Sequence, residues 1–306
     1  MRSPELSANT LVSRKHGYHI QRFFALLQSI LPRRAKQVLS FLVDAEHAFL
    51  PIEAFETFKA YLSGDGLEIG GPSPVFSGRS ILPVYRVARS LDNCNFSSTT
   101  VFQGDIGGEG RTFRFAKDKV GLQFIREATD LTPIANGRYD FIISSHTIEH
   151  ISNPVKALVE WKRVLKRGGV LLLVCPHKEW MFDHKRAVTR IEHLLEDYQK
   201  DIDENDLTHL TEILQLHDFS MDPIARNQYD FLLRSRNNVR YRILHHHVFD
   251  TDLVVQMMSI AGFKVLFAGT HRLHIIVLGQ KMDDKIRIGE RAVESLLEND
   301  ANATEP

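Results

Sequence analysis

Two sets of residues carry most of the chemistry this chain could perform. The first is Glu68-Ile69-Gly70-Gly71-Pro72-Ser73. Leu67 and Ile69 favour a strand. Gly70-Gly71 lets the backbone turn sharply and lie close to a ligand, where a Cβ would obstruct it. In an open α/β sheet, a strand ending in such a turn is where nucleotide-like ligands sit. Asp92 follows Glu68 by 24 residues. That interval suits a carboxylate at the end of a second strand, accepting both hydrogen bonds of a ribose diol. A surface Asp-Asn turn is the competing reading.

The second set is histidine. Ten of the 15 histidines lie beyond residue 176, including His177, His184, His193, His209, His217 and the triplet His245-His246-His247. Acidic residues are interleaved: Asp183, Glu192, Asp197, Glu204, Asp206, Glu212 and Asp218. One reading makes these the hydrogen-bonded wall of a polar cavity. A second makes an imidazole the general base that removes the proton of a weakly acidic hydroxyl; His177 and His184, just beyond an apolar strand, are the candidates. A third is a divalent metal held by histidine and carboxylate. No fixed ligand spacing stands out, and neighbours in a triplet point apart, so no metal is expected. Arg234, Arg236, Arg240 and Arg242 precede the triplet, either as a solvated surface or as a grip on an anionic group.

The elements that must position these residues follow from periodicity. Amphipathic helices are expected at 19–31, 33–49 and 52–62. A second strand is expected over 87–91, with Asp92 at its end, then a hairpin over 99–115 and a short helix over 121–128. Residues 139–145 are the most strand-like segment. A helix from Pro154 to Leu165 follows, ended by Lys166-Arg167-Gly168-Gly169. The apolar run 170–175 suits a parallel strand covered on both faces. About 70 residues then separate it from the next expected helix, 252–261, where a plain parallel fold needs a short link. Helices are expected there at 186–200, 205–216 and 223–235. Strands at 263–267 and 274–279, a helix at 283–298 and a disordered tail complete the chain.

Bulk composition narrows the function classes. Lys+Arg and Asp+Glu are both 38 in 306 residues, so no overall positive field attracts a phosphate backbone, and nucleic acid is not an expected partner. The two cysteines, Cys94 and Cys175, read as reduced buried thiols and are too few for a thiolate zinc site. No apolar run approaches the ~20 residues of a membrane helix. Residues 1–14 lack a secretory apolar core, and a cytoplasmic location is expected.

The run Tyr139–Pro154, the helix end Arg163-Val164-Leu165-Lys166-Arg167-Gly168-Gly169, the strand Leu171–Val174 and Leu67-Glu68-Ile69-Gly70 together carry a resemblance. They closely resemble class I S-adenosylmethionine-dependent methyltransferases, nearest the broad type 11 group of quinone and small-molecule methylating enzymes. The resemblance covers about 66–176 and extends with the final strands to about 280. It implies a Rossmann-like doubly wound α/β sheet, mostly parallel with an antiparallel last strand. N-terminal helices and a helical insertion after the fifth strand would complete it. The implied organisation is a helical segment 1–62, a methyltransferase domain 63–282 with a substrate insertion 178–248, and a C-terminal helix and tail 283–306.

For the site, the resemblance implies S-adenosyl-L-methionine as cofactor. Glu68, Gly70, Gly71 and Ser73 would lie beside its methionine part. Asp92 would hold the ribose, Asp130 with Leu131 would read the adenine amino group, and Ser145 and His146 would line the cofactor and face the substrate. One departure stands out. Where the family repeats glycine, this chain has Pro72 and Pro74, which fix φ and remove donors, so the loop must take another path. The expected activity is O-methylation of a small polar or carbohydrate acceptor, with a homodimer as one arrangement. A nicotinamide-dependent oxidoreductase and a non-catalytic binding protein of the same fold are the competing functions.

Overall fold

Tyr139-Asp140-Phe141-Ile142-Ile143-Ser144-Ser145 is a central strand, because every residue but Asp140 is buried and the run can be covered on both faces. In the computed structural model, residues 52–282 are described except Arg79, Pro223 and Arg226, all within a unit that begins at Leu50. The helices expected at 19–31, 33–49 and 283–298, and the tail, lie outside the described residues.

In chain order come α1 (Ile52–Lys59), β1 (Asp65–Ile69), α2 (Val84–Val87), β2 (Ser90–Asn95), β3 (Thr99–Thr100), β4 (Gly104–Asp105), β5 (Gly110–Ala116), β6 (Lys119–Ile125) and β7 (Tyr139–Ser145). There follow α3 (Pro154–Val164), β8 (Leu165–Pro176), α4 (Ile191–Gln199), α5 (Leu210–Leu216), α6 (Gln228–Ser235), α7 (Asn238–Tyr241), α8 (Thr251–Ile260), β9 (Phe263–His271) and β10 (His274–Lys281). The eight-stranded sheet has the order β5-β6-β2-β1-β7-β8-β10-β9. From β6 to β8 its neighbours are parallel, while β10 runs antiparallel between β8 and β9. This is a Rossmann-like α/β sheet, mostly parallel, with an antiparallel last strand.

Alternation along the strands divides the core. Ile142, Leu171 and Leu173 face one layer, closed by Val155, Leu158 and Trp161 of α3 and Val254, Met257 and Met258 of α8. Phe141, Ile143, Val170 and Leu172 face the other, against Phe55, Phe58, Leu62 and Tyr85. Asn153 caps α3 by accepting from Lys156 N at 3.0 Å, with Pro154 at the first helical position. Asp250 caps α8 in the same way, from Leu253 N at 2.8 Å. Among the described residues, no helix is long and apolar enough to cross a membrane.

Three expected elements are corrected. The helix expected at 121–128 is β6, whose residues alternate in burial. Its buried Gln123 disguised the strand; the amide accepts from Asn93 Nδ2 at 2.9 Å. The hairpin expected over 99–115 is two hairpins, β3 with β4 and β5 with β6. The second strand runs on to Asn95, so Asp92 lies within it rather than at its end. Buried Asn93 and Asn95 look like turn residues in sequence, but their side chains both donate to Gly71 O, at 3.1 and 3.0 Å.

Candidate active site

Because β1, β2, β7 and β8 are parallel, their carboxyl ends share one edge, where α/β sheets bind ligands. The glycine turn sits in the middle of that edge. Gly70 has φ +85°, and a Cβ there would lie 2.1 Å from Thr147 Oγ1. A Cβ on Gly71 would lie 2.1 Å from the Glu68 carboxylate carbon. Glu68 is fully buried beneath the turn. It accepts from Ser73 N at 2.9 Å and Tyr85 Oη at 2.7 Å, so both oxygens pin the loop rather than point outward. Burial pushes its pKa up to about 7, against the opposing hydrogen bonds from Tyr85 and Ser73. Gln103, from the turn between β3 and β4, donates to Gly70 O at 2.9 Å and folds that small hairpin onto the turn.

Ser145 ends β7 and is buried. His146 follows with φ +49°, a left-handed conformation that costs a non-glycine residue about 1–3 kcal/mol. It is held by its N–H to Val174 O at 2.9 Å and by a ring contact with His274 Nδ1 at 2.9 Å. Burial first, then the neighbouring His274, keeps its imidazole neutral by lowering its pKa well below the usual value.

Beyond His146 opens a cavity of about 180 Å³. Its polar lining is His146, Glu149, His150, Asp222, Arg234 and His245, and Phe102, Met181, Phe182, Phe231 and Ile243 form apolar walls. Glu149 is 1% exposed, and neither carboxylate oxygen has a hydrogen-bond partner. Its pKa is pushed up to about 7 by burial, despite the attraction of His245. One donor atom each of Glu149, His150 and His245 lie within 4.8 Å of one another.

His245 is oriented from behind. Its Nδ1 lies 2.8 Å from Asp183 Oδ2, and both residues are buried. Burial disfavours the imidazolium, but the Asp183 carboxylate outweighs it and the pKa of His245 is raised. An Nδ1–H donated to Asp183 leaves Nε2 as an acceptor, the arrangement of an oriented general base. Arg186 donates to the carbonyls of His245 and His246, at 2.6 and 3.0 Å, and fixes the backbone of the triplet.

Several expected site residues stand elsewhere. Asp92 accepts from Leu122 N, Arg138 Nη2 and Tyr139 Oη, each at 2.8 Å, and so binds the start of β7, away from the carboxyl edge. Asn95 occupies the end of β2 instead. Asp130 is exposed and accepts from Thr132 N at 3.0 Å in a local turn, which lowers its pKa. Leu131 is a core residue whose N–H donates to Glu160. His177 caps a short 3₁₀ turn by accepting from Glu179 N at 3.3 Å. His184 contacts Asp218 Oδ2 at 3.2 Å. Neither lines the cavity, whereas His245 does. Of the arginine cluster, Arg234 reaches the cavity, while Arg242 bridges Glu127 and Glu204 at 2.7 and 2.9 Å and covers the Phe96 ring. Glu149-His150, four residues beyond the fourth parallel strand, is a sequence signal of this site, placed where the sheet opens.

The unpaired carboxylate makes a measurable prediction. A carboxyl with pKa about 7 in the native state and 4.5 when free binds its proton more tightly when folded. Its contribution is therefore favourable below about pH 4.5 and is lost as pH rises through about 7. Glu149→Gln is expected to stabilise the protein by a few kcal/mol at about pH 8 and by almost nothing at about pH 4. Thermal unfolding at the two pH values checks this; equal shifts at both would contradict it. Glu68 titrates in both proteins and cancels.

Residues 92–173 match the model of the family described as methyltransferase domain. No curated protein matches. Solved structures to which the chain is similar include a SAM-dependent methyltransferase from Aquifex aeolicus, 14% identical, covering 77% of this chain and 92% of that one with TM-score 0.41. Another is an S-adenosylmethionine-dependent methyltransferase from Mesorhizobium loti, 10% identical, covering 75% and 96% with TM-score 0.41. The matched segment, similar to a methyltransferase domain, runs from within β2 to within β8.

Proposed function

We propose that this methyltransferase methylates a hydroxyl of a small polar or carbohydrate acceptor held in the cavity between His146 and Arg234, with His245 as general base. The single observation that carries this reading is the buried Asp183–His245 pair beside the unpartnered Glu149 carboxylate in one cavity at the carboxyl edge.

The residues fit the cofactor. S-adenosylmethionine is a cation, and the cavity offers a buried carboxylate with no hydrogen-bond partner. The Gly70–Gly71 turn stands where the methionine part would approach the backbone, flanked by Asn95 and Ser145 at the neighbouring strand ends. Bound there, the cofactor supplies an electrophilic methyl group. His245 Nε2 would take the proton of the acceptor hydroxyl, making its oxygen the nucleophile for the methyl group that the cofactor would supply. Asp183 holds the tautomer that makes Nε2 an acceptor and steadies the imidazolium that forms. Arg234 and His150 orient the acceptor, and the aromatic walls exclude water. At about 180 Å³ the cavity lies below the ~300–1,000 Å³ of sites for drug-sized ligands, which favours one small group or a single sugar ring.

The test is incubation with deuteriomethyl-labelled cofactor and a polar extract of small molecules and glycans, followed by mass spectrometry. Label in a methyl ether supports the reading. Label only in amines or carbon-bound methyl groups would replace it.

A further inference from the structure

We infer that His193, Asp197, His209 and His247 form a structural zinc site that ties together three stretches of the helical insertion. The four side chains come from three separate stretches. His193 and Asp197 are one turn apart on α4 and share a face. His209 immediately precedes α5, and His247 lies on the extended segment leading to α8. One donor atom of each lies within 4.8 Å of the other three.

The spacing within the cluster is that of a tetrahedral shell. Zinc bonded to nitrogen and oxygen at about 2.0–2.1 Å sets its ligand atoms about 3.3 Å apart. Here His193 Nε2 lies 3.0 Å from His209 Nε2 and 3.4 Å from Asp197 Oδ2, and His247 Nε2 lies 3.5 Å from Asp197 Oδ2. Two imidazoles, of His193 and His247, face the same Asp197 carboxylate oxygen, and the third, of His209, faces His193. Coordination through His247 Nε2 displaces its 3.1 Å contact with Ser152 O.

Three histidines and one carboxylate suit zinc. Four protein ligands leave no open position, which makes the site structural rather than catalytic. Its place in the fold explains its use: His247 is two residues from His245, so the metal would anchor the segment that carries the proposed base.

The test is elemental analysis of untagged, full-length protein, followed by cobalt(II) substitution after the native metal is removed. About one zinc per chain is expected, with the intense visible bands of tetrahedral cobalt. His193→Ala and His209→Ala should each bring the metal to background, while His150→Ala, in the cavity cluster, should leave it unchanged. Because the alanine variants could fail to fold, His209→Cys provides a second arm. It should retain metal and add a thiolate-to-cobalt charge-transfer band. Wild-type protein that takes up neither zinc nor tetrahedral cobalt would overturn the inference. So would metal that survives His193→Ala and His209→Ala but is lost with His150→Ala, or a His209→Cys cobalt form lacking the charge-transfer band.

Discussion

His245→Ala is expected to lower kcat by about 10²–10⁴-fold, the usual contribution of a positioned general base, with the affinity for S-adenosylhomocysteine close to wild type. The effect is large because a hydroxyl is a poor nucleophile while it keeps its proton. It is confined to kcat because His245 sits in the acceptor cavity and not at the glycine turn. His245→Gln keeps the volume and should be nearly as slow, which separates chemistry from packing. The pH profile adds a readout that a packing role would not move. Burial lowers the pKa of His245 but Asp183 raises it further, to a net value above the ordinary 6.5. The base must be neutral to work, so kcat should fall with decreasing pH through an acid limb above about 6.5. Asp183→Asn removes the charge that raises the pKa. It should move that limb to lower pH while reducing the plateau, because the tautomer is no longer held. Steady-state kinetics across pH check both; an unmoved limb in Asp183→Asn would reject the pairing.

Trp161→Ala is expected to destabilise the domain by about 3–5 kcal/mol, a large part of the roughly 5–15 kcal/mol of an ordinary domain. Trp161 is fully buried on α3, at the centre of the layer that also holds Ile142, Leu171 and Met257. Its indole Nε1 donates to Ala128 O at 2.8 Å, tying the helix to the segment after β6. Alanine would leave both a cavity and an unsatisfied carbonyl. Trp161→Phe restores most of the volume but not the donor, and should cost less. Urea unfolding separates the two if the midpoints shift at constant slope.

The parts of the chain readable from sequence were those where local pattern and tertiary role agree. Residues 139–145 and 170–175 are continuous apolar runs because parallel strands are covered on both faces. α3 announces itself through Asn153-Pro154 and its apolar stripe. β2 and β6 are hard to read because Asn93, Asn95 and Gln123 are polar residues in buried strand positions, where they bond to the glycine turn and to each other. Once β2 is extended to Asn95, Asp92 cannot be at its end, so the spacing from Glu68 does not bring it to the carboxyl edge. The cavity was hidden for another reason. Glu149 and His245 are 96 residues apart in sequence, and only the path of the insertion brings them together. His193 and Asp197, by contrast, do have helical ligand spacing, which was concealed among many other histidines and acids.

Titration calorimetry with S-adenosylhomocysteine, and in parallel with NAD, tests the central claim most directly. Saturable binding of S-adenosylhomocysteine with no heat from NAD is predicted. Heat from NAD alone would contradict the assignment of this sheet edge to methyl transfer.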